Sequence, residues 1–424
     1  MQPGGVRRVP VLVAASGAQW ESDALRMLEQ APDLVLHGRS VDLPDLVASA
    51  GTGLARCAVV AHSLAGLDAD TVAHLDRAGV RVVAVLGVGP NDAAGTRERL
   101  ARIGVARSVE ADLGELCSAV REVTRQAEES GPLPVESEDG LPGTRARGRL
   151  TAVWGPGGAP GRTTVATALA AELAGRGVST MLVDADPYGG AVAQHLGILD
   201  EVSGLLSAAR RANAGQLGIN GLNEVARSLD GGLRVLTGLP RADRWAEVRP
   251  AAFTEILDCA EGLVDQVVLD LGFSLEDAQT DPFAASPRRN ETTLSALERA
   301  GDVVVVGSAD PVGLSRLARG LVELRELLPT VPLHVVVNRT RSTLGWSQAE
   351  VGAMIESFVR PVRTHYLPED RTTVDRALTS GRSLAELGDS PLRQGISQMA
   401  DTLLGSPSGV RRRGRWRRQA SKSR

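Results

Sequence analysis

Short apolar runs and amphipathic stretches alternate along most of the chain. Over residues 8–125 the runs read VPVLVAA, LVLHGRS, CAVVAHS, VRVVAVLG and ARSVEA, and the segments between them carry apolar residues at helical spacing. Five strands separated by helices predict a small doubly wound parallel sheet. Residues 126–149, QAEESGPLPVESEDGLPGTRARGR, break this rhythm: they are rich in Pro, Gly and charge, lack an apolar period, and read as a linker. Alternation resumes at LTAVW (150–154) and continues through STMLVDAD, LRVLTG, DQVVLDLG, DVVVVGSAD, LHVVVNR and VRTHYLP. Such near-continuous Val/Leu runs fit parallel strands covered on both faces. A last helix, PLRQGISQMADTLLG, closes a second α/β unit over 150–404, and residues 405–424 read as a disordered basic tail.

Composition sharpens this outline. The chain has 424 residues, 43% apolar but only 3% aromatic, so its cores must be built from Ala, Val and Leu. The tail holds eight basic residues and no acidic one; taking those eight from the net charge of −4 leaves −12 on the body. Basic residues are almost all arginine, Lys422 being the lone lysine. Cys57, Cys117 and Cys259 lie far apart, as do the six histidines, with no metal or redox spacing. RRVPVLVAASGA loosely mimics a signal peptide, but the strand–helix rhythm that follows makes it a first β-strand. With no run of the roughly 20 apolar residues needed to span a bilayer, a cytoplasmic protein is expected.

The candidate chemistry begins at WGPGGAPGRTT (154–164), between the LTAVW strand and the alanine-rich helix TTVATALAAELAGRG, which ends at a glycine cap, Gly177. Phosphate-binding loops of the form G-x-x-x-x-G-K-[ST] occupy this junction, where glycines let backbone N–H groups turn inward at the positive end of the next helix. Gly155, Gly157, Gly158 and Gly161 supply that freedom, whereas Pro156 and Pro160 stiffen the loop and remove two donors. Thr163 stands where a magnesium-binding hydroxyl belongs, with Thr164 after it; Arg162 stands where lysine is usual, a planar bidentate cation in place of a compact one. Alone, the loop reads equally well as a phosphate cradle or as a bare strand–helix turn. Its company favours the cradle. Asp184 and Asp186 end one strand as a D-x-D pair, Asp270 ends another, and Asn338 ends VVVNR with an amide able to meet a base edge. Ligands of open α/β sheets gather at these carboxyl ends.

On these residues, the segment 150–404 resembles the ParA/MinD superfamily of deviant-Walker ATPases, a P-loop NTPase fold of the SIMIBI, MinD-like kind, and YLPEDRTTVDRALTSGRSLAEL (366–387) is similar to that family's late Pro-x-Asp, Ala, Gly-x-x-Leu stretch. The N-terminal unit, 1–125, resembles a CheY-like receiver domain, which brings the chain nearest to the actinobacterial CpaE/TadZ-like (septum site-determining or pilus assembly) branch. The resemblance implies ATP and Mg²⁺ as cofactors. Phosphate contacts would come from Gly157, Gly158, Gly161, Arg162, Thr163 and Thr164, metal ligation from Thr163 and Asp270, and water orientation from Asp186. Asp184 would support the loop, Asn338 would read adenine, and Arg162 would be the catalytic cation. The chain departs from the family where the signature lysine falls at Gly157, the Walker lysine is Arg162, and the first Walker glycine aligns with Pro156. Removing preorganised positive charge slows phosphoryl transfer by orders of magnitude, so weak or partner-dependent hydrolysis is expected. Arg288 and Arg289 either return charge to the site or form a solvated pair.

Phosphoryl acceptance in a receiver needs an Asp ending the third strand and a lysine near the fifth. Here His62 and Ser63 follow the third strand and the unit has no lysine, so it reads as a pseudo-receiver for docking or targeting, with Asp68 a helix cap. Arg210 and Arg211 read as a solvated face, and Trp245 either anchors a partner or plugs a local core. The tail admits peripheral contact with anionic lipid, nucleic-acid contact, or simple solubilisation. With the resemblance, these features imply a homodimeric, ATP-binding protein that positions a pilus, secretion or division-related complex, peripheral contact at the inner face of the membrane being one of the tail's open readings. Two alternatives stay open: a non-hydrolysing scaffold, and a chromosome or plasmid partition ATPase that binds DNA, against which the acidic body argues.

Overall fold

A computed structural model describes residues 8–87, 93–129, 147–158, 160–199, 202–276 and 288–405. The chain is α/β, built on two largely parallel sheets. The first has five strands, β1 (Val9–Ala14), β2 (Leu34–Arg39), β3 (Cys57–Ala61), β4 (Arg81–Val85) and β5 (Arg107–Val109), in the order β2-β1-β3-β4-β5, all parallel. The second contains β6 (Arg149–Trp154), β7 (Thr180–Ala185), β8 (Arg227–Ser228), β9 (Leu233–Leu236), β10 (Gln266–Leu271), β11 (Asp302–Ser308), β12 (Leu333–Thr340) and β13 (Arg363–Pro368). Its order is β13-β12-β11-β6-β10-β7-β9-β8, parallel except for the β8 edge.

Successive residues of the large sheet feed two different cores, as the period of a strand requires. On β6, β7 and β11 the residues Trp154, Val183 and Val305 enter one apolar cluster, whereas Val153, Leu182 and Val304 enter another on the opposite face. The alanine-rich helix Arg162–Gly175 belongs to the second cluster and has little amphipathic character, because it is buried nearly all round, from Val165 to Ala174. The small sheet has its own cluster of Val, Ala and Leu. Trp245, on the turn Ala242–Glu247, packs against the first cluster of the large sheet and so serves as a local plug.

Two details differ from the pattern of the sequence. The helix Leu116–Glu129 runs four residues into the stretch read as linker, since Gln126, Ala127, Glu128 and Glu129 are all good helix formers; residues 130–146 lie outside the described residues. The edge strand β8 has only two residues, too few for any periodic signal.

The two units touch through polar contacts. Arg249 pairs with Asp68, the backbone N–H of Ala251 donates to Asp70 at 2.8 Å, and Arg102 donates to the carbonyl of Gly215. Asp68 also caps the helix Ala69–Arg77 by accepting from the Thr71 N–H at 2.9 Å.

At the end of the large sheet remote from the glycine loop, His365 on β13 stacks on His334 of β12 at 6.3 Å, and His334 meets Asp302 of β11 at 3.2 Å. Burial, with His334 and Arg363 nearby, lowers the His365 pKa to about 4. His365 is therefore neutral in the folded chain but takes up a proton once unfolded, below its ordinary 6.5. Its contribution to stability is complete above pH 6.5 and is lost as pH falls toward 4. Urea denaturation should show that the wild type loses about 2 kcal/mol more than a His365→Leu variant between pH 7 and pH 5. Equal slopes would mean the ring is hydrated in the fold.

Candidate functional site

The glycine loop leaves the carboxyl end of β6, the central strand at which the order reverses: the chain crosses to β7 on one side and later returns from β10 to β11 on the other. Such reversal points open a crevice above the strand ends. Gly158 (φ +110°) and Gly161 (φ +103°) adopt backbone angles that other residues avoid. A Cβ on Gly161 would meet the Asn338 amide nitrogen at 2.5 Å, and one on Gly155 would overlap the carbonyl oxygen of Val306 on β11. Gly161 is also the N-cap of the helix Arg162–Gly175, so the unpaired N–H groups of its first turn face the crevice.

Strand register brings the carboxylates together. Asp270 on β10 pairs directly with Asp184 on β7, and Asp186 follows two residues later. Asp184 is enclosed, with Gly190 and Gly238 pressed against its carboxyl group so closely that neither position has room for a Cβ. Its oxygens accept from the N–H groups of Val192 at 3.1 Å and Asp186 at 3.4 Å, so it shapes the 186–192 segment. Its direct partners lie there and not in the glycine loop. Burial, reinforced by the Asp186 charge, raises its pKa to about 7. Asp270 is also enclosed, at 1% exposure, beside the Thr163 hydroxyl, and its Oδ1 has no partner. Burial first, and then the charge of Asp184, push its pKa well above the usual carboxylate range, against the pull of Thr163 and Arg162. Asp186 remains 15% exposed and accepts the Tyr188 N–H at 2.8 Å.

Arg162 points inward. It donates to the carbonyls of Leu271 and Gly155, both at 3.1 Å, and to that of Pro156 at 3.4 Å, with Asp186 at 3.7 Å. Three carbonyl bonds and one carboxylate occupy most of its five donors. Asn338 is engaged too: its amide N–H donates to Pro160 at 2.8 Å and its oxygen accepts from the Arg339 N–H at 2.9 Å. One N–H and one lone pair of that amide remain for a ligand. Asn338 lines a cleft of about 220 Å³ with Gly161, Thr164, Arg339, Pro368 and Asp370. Across the loop lies a second cleft of about 180 Å³, bounded by Gly157, Gly158, Asp310, Gly313, Arg316 and Arg339.

The residues expected at the site thus converge on one edge of the large sheet, except the arginine pair of SPRRN. Arg288 pairs with Glu291, and Arg289 stacks over the Tyr188 ring at 4.1 Å while donating to Pro187. Arg289 therefore braces the turn after Asp186. Sequence reasoning missed Arg316, on the helix Pro311–Leu327, whose guanidinium lies against Gly158; as one arginine on an exposed helical face it carries no sequence signal. It also missed Gly190 and Gly238 as the walls around Asp184, visible only once β7 and β9 pair.

The residues present fit a polyphosphate with a divalent cation. A buried, unpartnered carboxylate oxygen beside a threonine hydroxyl is a hard-oxygen donor set, and magnesium usually takes only one or two carboxylates, leaving the rest to phosphate and water. No group of three or more His, Cys, Asp or Glu among the described residues is arranged to hold a metal by itself. No helix among the described residues is long and apolar enough to cross a membrane.

No protein-family model matches the chain, and no curated protein does. Among solved structures, the chain is similar to the cell division ATPase MinD of Pyrococcus furiosus, at 18% identity over 61% of this chain and 99% of that one, with a TM-score of 0.49. A ParA family ATPase of Chlorobium tepidum is similar at 16% identity over 59% and 98%, with a TM-score of 0.49. The septum site-determining protein MinD of Pyrococcus horikoshii, complexed with Mg-ADP, is similar at 15% identity over 60% and 95%, with a TM-score of 0.47. These likenesses assign no residue a role; the roles rest on the geometry of the loop and its carboxylates.

Proposed function

We propose that the glycine loop and its carboxylates bind ATP with Mg²⁺, and that the chain is a homodimeric positioning protein of the MinD/CpaE type, serving a pilus, secretion or division-related complex. The observation that carries the binding reading is the partnerless Asp270 Oδ1, buried beside the Thr163 hydroxyl at the N-terminus of the helix under the loop. Thr163 and Asp270 would hold the metal, which when bound neutralises phosphate charge. The N–H groups of Gly157, Gly158, Gly161 and the first helical turn would face the phosphates. Thr164 and Asn338 would face the base side of the 220 Å³ cleft. Asp186, the accessible member of the D-x-D pair, would accept a proton or orient water.

Hydrolysis on this reading is weak or partner-dependent, because Arg162 is held by carbonyls and Asp186 and must be released to reach a phosphate. That same engagement favours the second reading, a scaffold that binds nucleotide without hydrolysing it, or binds none. The receiver-like unit would serve docking: Asp68 is buried, capping and ion-paired, which leaves it no role as a phosphoryl acceptor. Peripheral membrane contact would belong to the tail 405–424, of which all but Gly405 lies outside the described residues.

Calorimetric titration of the nucleotide-stripped full-length protein with ATP, with and without Mg²⁺, tests this. The expected result is Mg²⁺-dependent binding, with phosphate release no faster than an unassisted NTPase, about 10⁻³ s⁻¹. Absence of binding at millimolar ATP would leave the scaffold.

A further inference from the structure

A polyphosphate brings three or four negative charges into a site already crowded by Asp184, Asp186 and Asp270. Something must offset them. The loop has lost both of the lysines that its resemblance leads one to expect, and Arg162, the cation it retains, is turned inward on three backbone carbonyls. The helix N-terminus offers only about half a charge.

A second guanidinium stands on the other side of the loop. Arg316 projects from the helix Pro311–Leu327 so that its guanidinium lies against the Cα of Gly158 and its Nη1 is 3.5 Å from the Gly157 carbonyl, a distance too long for a strong bond. The side chain is exposed and bounds the 180 Å³ cleft that the loop shares with Gly313. Its helix is held against the loop by absent side chains. A Cβ on Gly313 would meet the Ser308 carbonyl at 2.5 Å, and one on Gly320 would meet the ring of Trp154, the last residue of β6, at 3.0 Å. Asp310 fixes the start of the same helix by accepting from Val312 and Gly313 at 3.1 and 2.9 Å. The helix backbone is thus locked, while the long side chain of Arg316 lies loosely over the phosphate loop. That combination suits a cation that waits for a ligand more than one that props up the fold.

We infer that Arg316 is a phosphate-binding residue of this site, supplying from the 311–327 helix the positive charge that the loop lacks. It binds nucleotides in proportion to their phosphate charge, so the chain discriminates ATP from ADP through a residue outside the loop. This rests on the ATP-binding reading above.

Titration of full-length wild-type, Arg316→Gln and Arg316→Lys proteins with Mg-ATP and Mg-ADP, at two salt concentrations, tests the inference. Arg316→Gln should weaken ATP by about tenfold or more and ADP by clearly less, with a shallower salt dependence; Arg316→Lys should recover part of the loss. Thermal melting of the ligand-free proteins should coincide, since the side chain is exposed. If the wild type binds ATP and Arg316→Gln binds it equally well, or loses ATP and ADP by the same factor, the inference falls and the binding reading stands. If the wild type binds neither nucleotide, the binding reading itself fails and takes the inference with it.

Discussion

Replacing Asp270 by Asn should stabilise the ligand-free protein and remove its Mg²⁺-dependent nucleotide binding. Asp270 is enclosed, faces Asp184 across the β10–β7 pairing, and leaves Oδ1 without a partner. Its pKa is raised by burial and by the Asp184 charge, so the folded chain holds that proton more tightly than the unfolded chain does. The ionised form therefore opposes folding, and the penalty grows as pH rises from the ordinary carboxylate value toward the raised one. Asn keeps the size and shape of the side chain and carries no charge. At pH 8 the variant should gain about 1–3 kcal/mol, measured by urea denaturation, and the gain should vanish near pH 4. The same substitution deletes the anionic oxygen that would meet Mg²⁺, so affinity for Mg-ATP should fall by about 100-fold or more. A variant that is more stable yet inert toward nucleotide would show that this carboxylate is kept for the ligand at the expense of the fold. Unchanged Mg-ATP affinity would remove Asp270 from the metal site.

The second large effect is expected at Gly155, which has no unusual backbone angle and is constrained only by its neighbour. Strands β6 and β11 run in register as far as Trp154 opposite Val305, and the next step places the Gly155 Cα against the Val306 carbonyl. A methyl group there would overlap a backbone oxygen, which unlike a side chain cannot rotate away. Gly155→Ala should therefore destabilise the chain by about 3 kcal/mol and shift the first residues of the loop. The control is Gly175→Ala, in the same strand–loop–helix unit, where an added Cβ meets nothing within 4 Å. It should be neutral or stabilise by about 0.5–1 kcal/mol. If both variants melted like the wild type, the tight approach of β6 to β11 would be relaxed in solution.

These two positions show where reading the sequence works and where it stops. The strands of both sheets follow from runs such as CAVVA and VVVV, because residues buried on both faces leave an uninterrupted apolar record. The positions of Asp184, Asp270 and Asn338 at strand ends were also legible, since a polar residue closing such a run has nowhere to go but the carboxyl edge. The glycine loop was legible as a turn, and Thr163 by its offset from Gly161.

What the sequence could not carry is everything that depends on which strands become neighbours. Placing Asp270 beside Asp184 requires the order β6-β10-β7, which no local pattern encodes, and their perturbed titration is a product of that adjacency. The orientation of Arg162 was equally hidden: its residue type suggested a phosphate clamp, but the carbonyls it meets belong to β10 and to the loop itself. Arg316 is 154 residues from Arg162 in the chain and reaches the loop only because Gly313 and Gly320 let its helix approach β6 and β11. Apolar periodicity and turn residues are local and are written in the sequence. Charge balance at a site depends on distances between segments far apart in the chain, and only the packed structure sets those distances.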